Sequence, residues 1–328
     1  MLRRRHLTAR LEASSPSCSR CFPSHPKNAL ASLEHASLGE HERCKFRPVH
    51  ARAADMLIAQ ITDTHIKAGG KLAYGKVDTE AALAHCLRQV NDVTPAVDVV
   101  LVTGDLVDTG RPEEYRALRA LLGELHAPCY VIPGNHDERN ALRNAFAADG
   151  YLEDGSPYLH YAVDRYPLRL VALDSIVPGK PGGMMCAERL EWLDRTLSAA
   201  KDRATLLFMH HPPFLTGITH MDVQNCANAA AFAAVVERHP QVIRLLCGHV
   251  HRPVQTLWHG VLASIGPSHS HAVALDLTPG SPPAFALEPP AFALHAWSEA
   301  TGVVSHTAFV GDYEGPYPFF DRQGRLID

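Results

Sequence analysis

Residues 56–65 read MLIAQITDTH, an apolar run that stops abruptly in Asp63-Thr64-His65. A short apolar run ending in polar residues reads as a buried strand. The same pattern recurs downstream. VDVVLVT at 97–103 runs into Gly104-Asp105, and the short strand 128–132 into Gly134-Asn135-His136-Asp137. The strand 203–209 runs into His210-His211-Pro212-Pro213, and 242–247 into Gly248-His249-Val250-His251. Helical spacing fills the intervals. Residues 79–93 carry Leu83, Cys86, Leu87, Val90 and Val93 on one face, with Asp78 as the expected N-cap. Residues 112–125 start on Pro112 and turn Tyr115, Leu118, Leu121, Leu122 and Leu125 inward. Helices are also expected at 187–200 and 226–238, and paired strands at 158–163 and 168–174. Alternating strands and helices predict an α/β layered fold. From 253 to 310 the texture changes to short strands between Pro- and Gly-rich turns.

The 328 residues are 46% apolar and 20% charged, as in a soluble globular protein, and no apolar run is long enough to span a membrane. The net charge of −4 hides a split. Residues 1–55 hold ten basic and five acidic side chains, which leaves −9 on the rest. That acidic remainder has no Lys/Arg stripe, which argues against nucleic-acid binding. Residues 1–55 show no sustained periodicity and no signal-peptide core. They are expected to be a disordered extension or upstream sequence included by a wrong start, with Met56 as the preferred start. Cys18, Cys21, His41 and Cys44 spell a competing zinc-type spacing. The other cysteines, Cys86, Cys129, Cys186, Cys226 and Cys247, are scattered in apolar contexts and read as reduced thiols of a cytoplasmic protein.

Five strand ends each deliver Asp, Asn or His. Ligands bind outside the carboxyl ends of strands in open α/β sheets, so the five loops are expected to meet at one site. In an extended chain residues two apart point the same way, which would turn Asp63 and His65, and likewise His249 and His251, toward a shared cavity. Oxygen and imidazole donors without a thiolate suit Mn, Fe, Co or Zn. Two such ions roughly 3.5–4 Å apart form a clamp for phosphoryl chemistry, and Asp105 is the natural bridging carboxylate.

In this order, D-x-H, G-D, G-N-H-D, H-H-P-P and G-H-x-H resemble the calcineurin-like metallophosphoesterase superfamily over residues 56 to about 271. Leu72-Ala73-Tyr74-Gly75, Val77-Asp78, Gly110-Arg111-Pro112-Glu113-Glu114-Tyr115 and Phe208-Met209-His210-His211-Pro212-Pro213 narrow the likeness. They are similar to class III cyclic-nucleotide phosphodiesterases and, nearer still, to bacterial glycerophosphodiesterases. The resemblance implies a four-layer α/β/β/α sandwich, with 56–270 as the catalytic domain. Residues 271–328 would be a β-rich segment that completes the sandwich and caps it or joins subunits. It implies two metal ions, one held by Asp63, His65 and His251, the other by Asn135, His210 and His249, with Asp105 between them. His136 would contact the scissile phosphate, so catalysis is expected to rest on Asp105, Asn135 and His136. His271 and Tyr74 would line the substrate pocket, with His269 competing for the role of His271 and His211 left structural. The implied reaction is hydrolysis of a small phosphodiester, a glycerophosphodiester or 3′,5′-cyclic nucleotide, by in-line attack of metal-held hydroxide. Homo-oligomers are implied; a membrane partner is not.

The rival readings are a phosphomonoesterase or nuclease of the same superfamily, and a non-catalytic metal-binding scaffold. His85, His126, His160, His239, His259, His295 and His306 are isolated and read as surface or core residues. His220 lies in a loop where family members place substrate-facing or subunit-contact segments, and is not counted among the pocket residues. Tyr313, Tyr317, Phe319 and Phe320 are expected to pack on the core, with a partner subunit as the competing surface.

Overall fold

The computed structural model describes residues 54–152 and 156–327. The zinc-type pattern of Cys18, Cys21, His41 and Cys44, and the rest of the basic extension up to residue 53, lie outside the described residues. The element order begins β1 (Met56–Ile61), α1 (Thr79–Asn91), β2 (Val99–Thr103), α2 (Pro112–Leu122), β3 (Cys129–Ile132) and α3 (Arg139–Ala145). It continues with β4 (Tyr161–Val163), β5 (Arg169–Leu173), β6 (Gly183–Met184), α4 (Ala187–Ser198), β7 (Thr205–Met209) and α5 (Thr219–Asp222). Then come β8 (Cys226–Ala227), α6 (Ala229–Val236), β9 (Val242–Cys247), β10 (Val254–Trp258) and β11 (Val261–Ile265). The last strands are β12 (Ala272–Val273), β13 (Phe285–Ala286), β14 (Ala291–Ser298) and β15 (Gly302–Phe309).

Two mixed sheets carry the fold. One has the order β15-β14-β1-β2-β3, the other β10-β11-β9-β7-β5-β4. Within them β1, β2 and β3 run parallel, as do β5, β7, β9 and β11. Strand β7 shows why its run is apolar throughout. Leu206 and Phe208 join the core that also holds Ile58, Val100 and Leu101 of the first sheet. Leu207 and Met209 join a second core with Leu193 and Leu197 of α4 and Phe232 of α6. One face meets the other sheet and the opposite face meets helices. Burying each such side chain contributes roughly 1.5–3 kcal/mol. Leu83 and Leu87 of α1 and Leu118 of α2 complete the first core. This alternation is what an α/β/β/α layering requires.

Local signals account for the starts of α1 and α2. The Asp78 carboxylate accepts the Ala81 N–H at 3.0 Å and caps α1. Pro112 opens α2, and Glu114 accepts the Arg111 and Thr109 N–H groups. The helix expected from residue 226 begins three residues later. Cys226–Ala227 instead pair with Gly183–Met184, and Asn228 takes a left-handed backbone before α6. The tail also departs from expectation. Tyr313, Tyr317, Phe319 and Phe320 are exposed rather than packed on the core. Their segment closes mainly on itself through Phe320–Leu326 pairing and the Asp321–Arg325 ion pair. Gly311 ties it to α1 through both polar atoms of the Gln89 amide. Among the described residues no helix is long and apolar enough to cross a membrane.

One buried imidazole makes the fold sensitive to acid. His160 stacks on Trp192, with ring centroids 4.7 Å apart, and its Nδ1 accepts the Asp174 N–H at 3.0 Å. Burial pushes its pKa down to about 4 against the pull of the Asp174 carboxylate. The folded value lies below that of an unfolded imidazole, about 6.5. The stabilisation is therefore whole above about pH 6.5 and declines as pH falls towards 4. The urea midpoint is expected to drop between about pH 7 and pH 4.5, and to drop less in His160→Asn, whose amide oxygen can still accept the Asp174 N–H. Identical pH slopes in the two proteins would overturn the assignment.

Candidate metal centre

All five polar clusters sit at the carboxyl ends of parallel strands, β1, β2 and β3 in one sheet and β7 and β9 in the other. The backbone leaves each sheet sharply. Asp63, His65, Asp105, His249 and His251 have φ of 56°, 42°, 47°, 76° and 54°. Side chains with a Cβ rarely occupy that left-handed region, and holding one there costs about 1–3 kcal/mol. The side chains therefore converge through tight left-handed turns, not through the extended alternation expected from the i, i+2 spacing. Neighbouring glycines make room. A Cβ on Gly104 would lie 2.5 Å from the His210 ring, and one on Gly134 would lie 2.1 Å from the Asp105 backbone nitrogen.

Asp63, His65, Asp105 and His251 each bring one ligand atom to within 4.8 Å of the others. His65 Nε2 stands 3.2 Å from His251 Nε2, and His251 Nε2 stands 3.3 Å from Asp63 Oδ1. On the other side His210 Nε2 is 3.3 Å from Asn135 Oδ1. Asp105 Oδ2 lies between the two groups, 3.6 Å from His65 Nε2 and 3.4 Å from His210 Nε2. His249 lies beside His210 with ring centroids 5.1 Å apart. His65 Nδ1, His249 Nε2 and His251 Nδ1 are buried without a hydrogen-bond partner among the described residues. Buried polar atoms are rarely left unpaired. Imidazole nitrogens that converge on buried carboxylates, beside a buried His249 Nε2 left without a partner among the described residues, fit a divalent metal centre.

Charge gives the same answer. Burial alone would raise the pKa of Asp63 and Asp105, yet His251 holds Asp63 down and His210 holds Asp105 well below the usual carboxylate range. His210 is raised to about 9, because Asp105 and Asp63 outweigh its burial. Two buried anions therefore demand positive charge at this spot. The His210 ring is oriented by Nδ1, which donates to Thr103 O at 2.9 Å and leaves Nε2 facing the cluster.

His136 Nδ1 lies 2.8 Å from Asp108 O, and its backbone N–H donates to Asp105 Oδ1 at 2.9 Å. His211 spends both ring nitrogens away from the cluster, on Ser175 Oγ at 2.8 Å and Pro181 O at 3.1 Å. Tyr74 and His271 face each other across 5.3 Å and, with His136, line a cavity of about 370 Å³ over the cluster. His269 is buried outside the cavity lining.

Sequence reasoning missed several supporting residues. Asp137 accepts the Leu106 and Gly134 N–H groups and the Tyr115 hydroxyl, so it stitches the Asn135 loop to the Asp105 loop. Its place in G-N-H-D was the available signal. Asp108 pairs with Lys67 and lies 3.7 Å from His65 Nδ1. Gln224, just after α5, and Phe285 of β13 also line the cavity, and no local pattern marked them; His220 of α5 lines it too, although the sequence reading left it out of the pocket.

The family profile described as calcineurin-like phosphoesterase matches residues 56–253. A probable glycerophosphodiester phosphodiesterase GpdQ of Arcobacter nitrofigilis is 43% identical over 274 residues, 83% of this chain and all of that protein. The 3′,5′-cyclic adenosine monophosphate phosphodiesterase CpdA of Escherichia coli K12 is 33% identical over 64% of this chain and 74% of its own length. Among solved structures, a dimetal phosphatase from Danio rerio superposes with a TM-score of 0.57 at 16% identity, covering 79% of this chain and all of that one. That likeness speaks for the fold. With the profile spanning most of the described chain and a relative matched along its whole length, the chain belongs to the calcineurin-like phosphoesterase family.

Proposed function

We propose that this chain is a metal-dependent phosphodiesterase for small diesters, glycerophosphodiesters before cyclic nucleotides. The observation that carries the reading is Asp105 Oδ2 lying between two imidazole clusters, beneath a cavity that no Lys or Arg lines among the described residues. Asp63, His65 and His251 would hold one cation, Asn135, His210 and His249 the other, with Asp105 shared. Oxygen and nitrogen donors suit Mn, Fe, Co or Zn. Such a pair supplies an acidified water and charge neutralisation at phosphorus when bound.

The chain's own groups do the rest. The hydrogen bond from His136 N–H to Asp105 Oδ1 fixes the bridging carboxylate relative to the loop carrying Asn135. With Nδ1–H committed to Asp108 O, His136 keeps Nε2 for a phosphoryl oxygen, or for the proton that the departing ester oxygen takes. Tyr74 and His271 wall the cavity and restrict the diester's arms. Among the described residues no Lys or Arg lines the cavity, so beyond the metal pair and its histidines no fixed cation awaits the flanking phosphates of a nucleic acid. The 43% identity to a probable glycerophosphodiester phosphodiesterase over its full length favours that diester. A cyclic nucleotide is the second reading, supported by Tyr74 and Phe285 with ring centroids 5.0 Å apart, a surface on which a base can stack.

Stripping the protein with chelator should lower its thermal midpoint, and Mn, Co, Fe or Zn should restore both the midpoint and turnover of bis(p-nitrophenyl) phosphate. Asp105→Ala and Asn135→Ala should each cut that turnover by at least about 10- to 100-fold, the loss that removing even a neighbour of a metal ligand brings. Wild-type rates in either variant, with metal present, would sink the assignment. On a panel, glycerophosphoethanolamine should be hydrolysed faster than cAMP, and p-nitrophenyl phosphate slowest. A monoester preference would reverse the substrate reading.

A further inference from the structure

The cavity over the metal cluster has two walls of different chemistry. Tyr74 and Phe285 make an aromatic ledge. His220, Met221 and Gln224 make a mixed one with two polar side chains, carried by the segment between β7 and β8 that includes α5. That loop is held firmly for so short a segment. The Asp222 carboxylate accepts Thr216 N–H, Thr216 Oγ–H and Gly217 N–H at 2.7, 2.8 and 2.9 Å. Asn225 Nδ2 donates to Phe214 O at 2.7 Å, and Gly280 N–H donates to Thr219 Oγ1 at 3.3 Å. A wall fixed in this way can discriminate between ligands, because its polar atoms are already placed.

His220 Nδ1 is shielded from solvent without a hydrogen bond, which leaves Nε2 as the reachable polar atom of the ring. Gln224 spends Nε2 on His220 O at 2.8 Å, so its Oε1 remains as an acceptor with no partner among the described residues. A ring nitrogen and an amide oxygen four residues apart on one wall match the hydroxyls of a small polyol. Met221 offers apolar contact for the carbon chain. Among the described residues no Lys or Arg lines the cavity to meet a carboxylate or a second phosphate.

We infer that His220 and Gln224 form a hydroxyl-reading subsite that selects diesters with a glycerol-like arm. The inference rests on the phosphodiesterase reading and adds residues that determine its specificity. The test uses the full chain loaded with Mn, and calorimetry with sn-glycerol 3-phosphate and with inorganic phosphate. Wild type should bind sn-glycerol 3-phosphate about tenfold more tightly than phosphate, the worth of one or two net hydrogen bonds. His220→Phe and Gln224→Leu, which keep side-chain bulk, should each erase most of that preference. In kinetics both should lower the ratio of kcat/KM for glycerophosphoethanolamine to that for bis(p-nitrophenyl) phosphate, through KM. An undiminished preference in both variants overturns the subsite. So does a wild type that binds phosphate but gains nothing from the glycerol. Failure of the Mn-loaded chain to bind phosphate at all would instead bring down the phosphodiesterase reading, and this inference with it.

Discussion

The hydrogen bond from His210 Nδ1 to Thr103 O crosses from one sheet to the other, and the site depends on it. His210 ends a strand of the second sheet and Thr103 ends a strand of the first. The bond fixes the tautomer of the ring, turns Nε2 toward Asp105, and sets the spacing of the two sheets at their carboxyl ends. Other bonds reinforce the crossing. The Gln60 amide reaches Thr103 Oγ1 at 3.0 Å and Cys247 O at 2.9 Å, one in each sheet. The His249 N–H donates to both oxygens of Asp63 at 3.1 Å. Neither sheet alone holds a complete donor set; the cluster exists because the facing sheets are clamped together at the carboxyl ends of their inner strands.

The strain and the charge of the site share one logic. Five donor residues sit in a backbone region unfavourable to any side chain with a Cβ, and two buried carboxylates gather where desolvation opposes them. A self-contained core would avoid both. They are tolerated because two large apolar cores stabilise the sheets beneath, and because clustered cationic groups, or a bound metal, offset the anions. The supporting residues Asp137 and Asp108 extend this arrangement outward, each joining loops that arise from different strands.

Much of this was legible in the chain itself. Strands buried on both faces write continuous apolar runs, so β1, β2, β7 and β9 and the polar residues that end them stand out. What stayed hidden depended on distant partners. Asp and His enter the left-handed region more readily than most residues, but nothing local says which of them will, so the turns at Asp63 and His249 could not be read. The displaced start of α6 reflects pairing of Cys226–Ala227 with Gly183–Met184, a contact across about 40 residues that an Ala-rich stretch cannot announce. His220 and Gln224 reach the cavity only because Asp222 folds their loop, and a polar loop offers no periodicity to read. The exposed aromatic tail defied the rule that large apolar side chains go inside, a rule that runs one way only.

Strand β14 lies between β1 and β15, with Met56 opposite Trp297 and Gln60 opposite Ala293. The strand that presents Asp63 and His65 thus takes one of its two neighbours from almost 240 residues further along the chain. On the ribosome β1 emerges early and must wait for that partner, its flank open, until nearly all of the polypeptide has been made. The stretch that carries the family pattern is therefore shorter than the stretch that must fold. An expression fragment cut at residue 253 would retain all seven candidate metal ligands and still leave β1 with an unsatisfied edge, so a minimal catalytic unit has to be drawn by pairing rather than by motif.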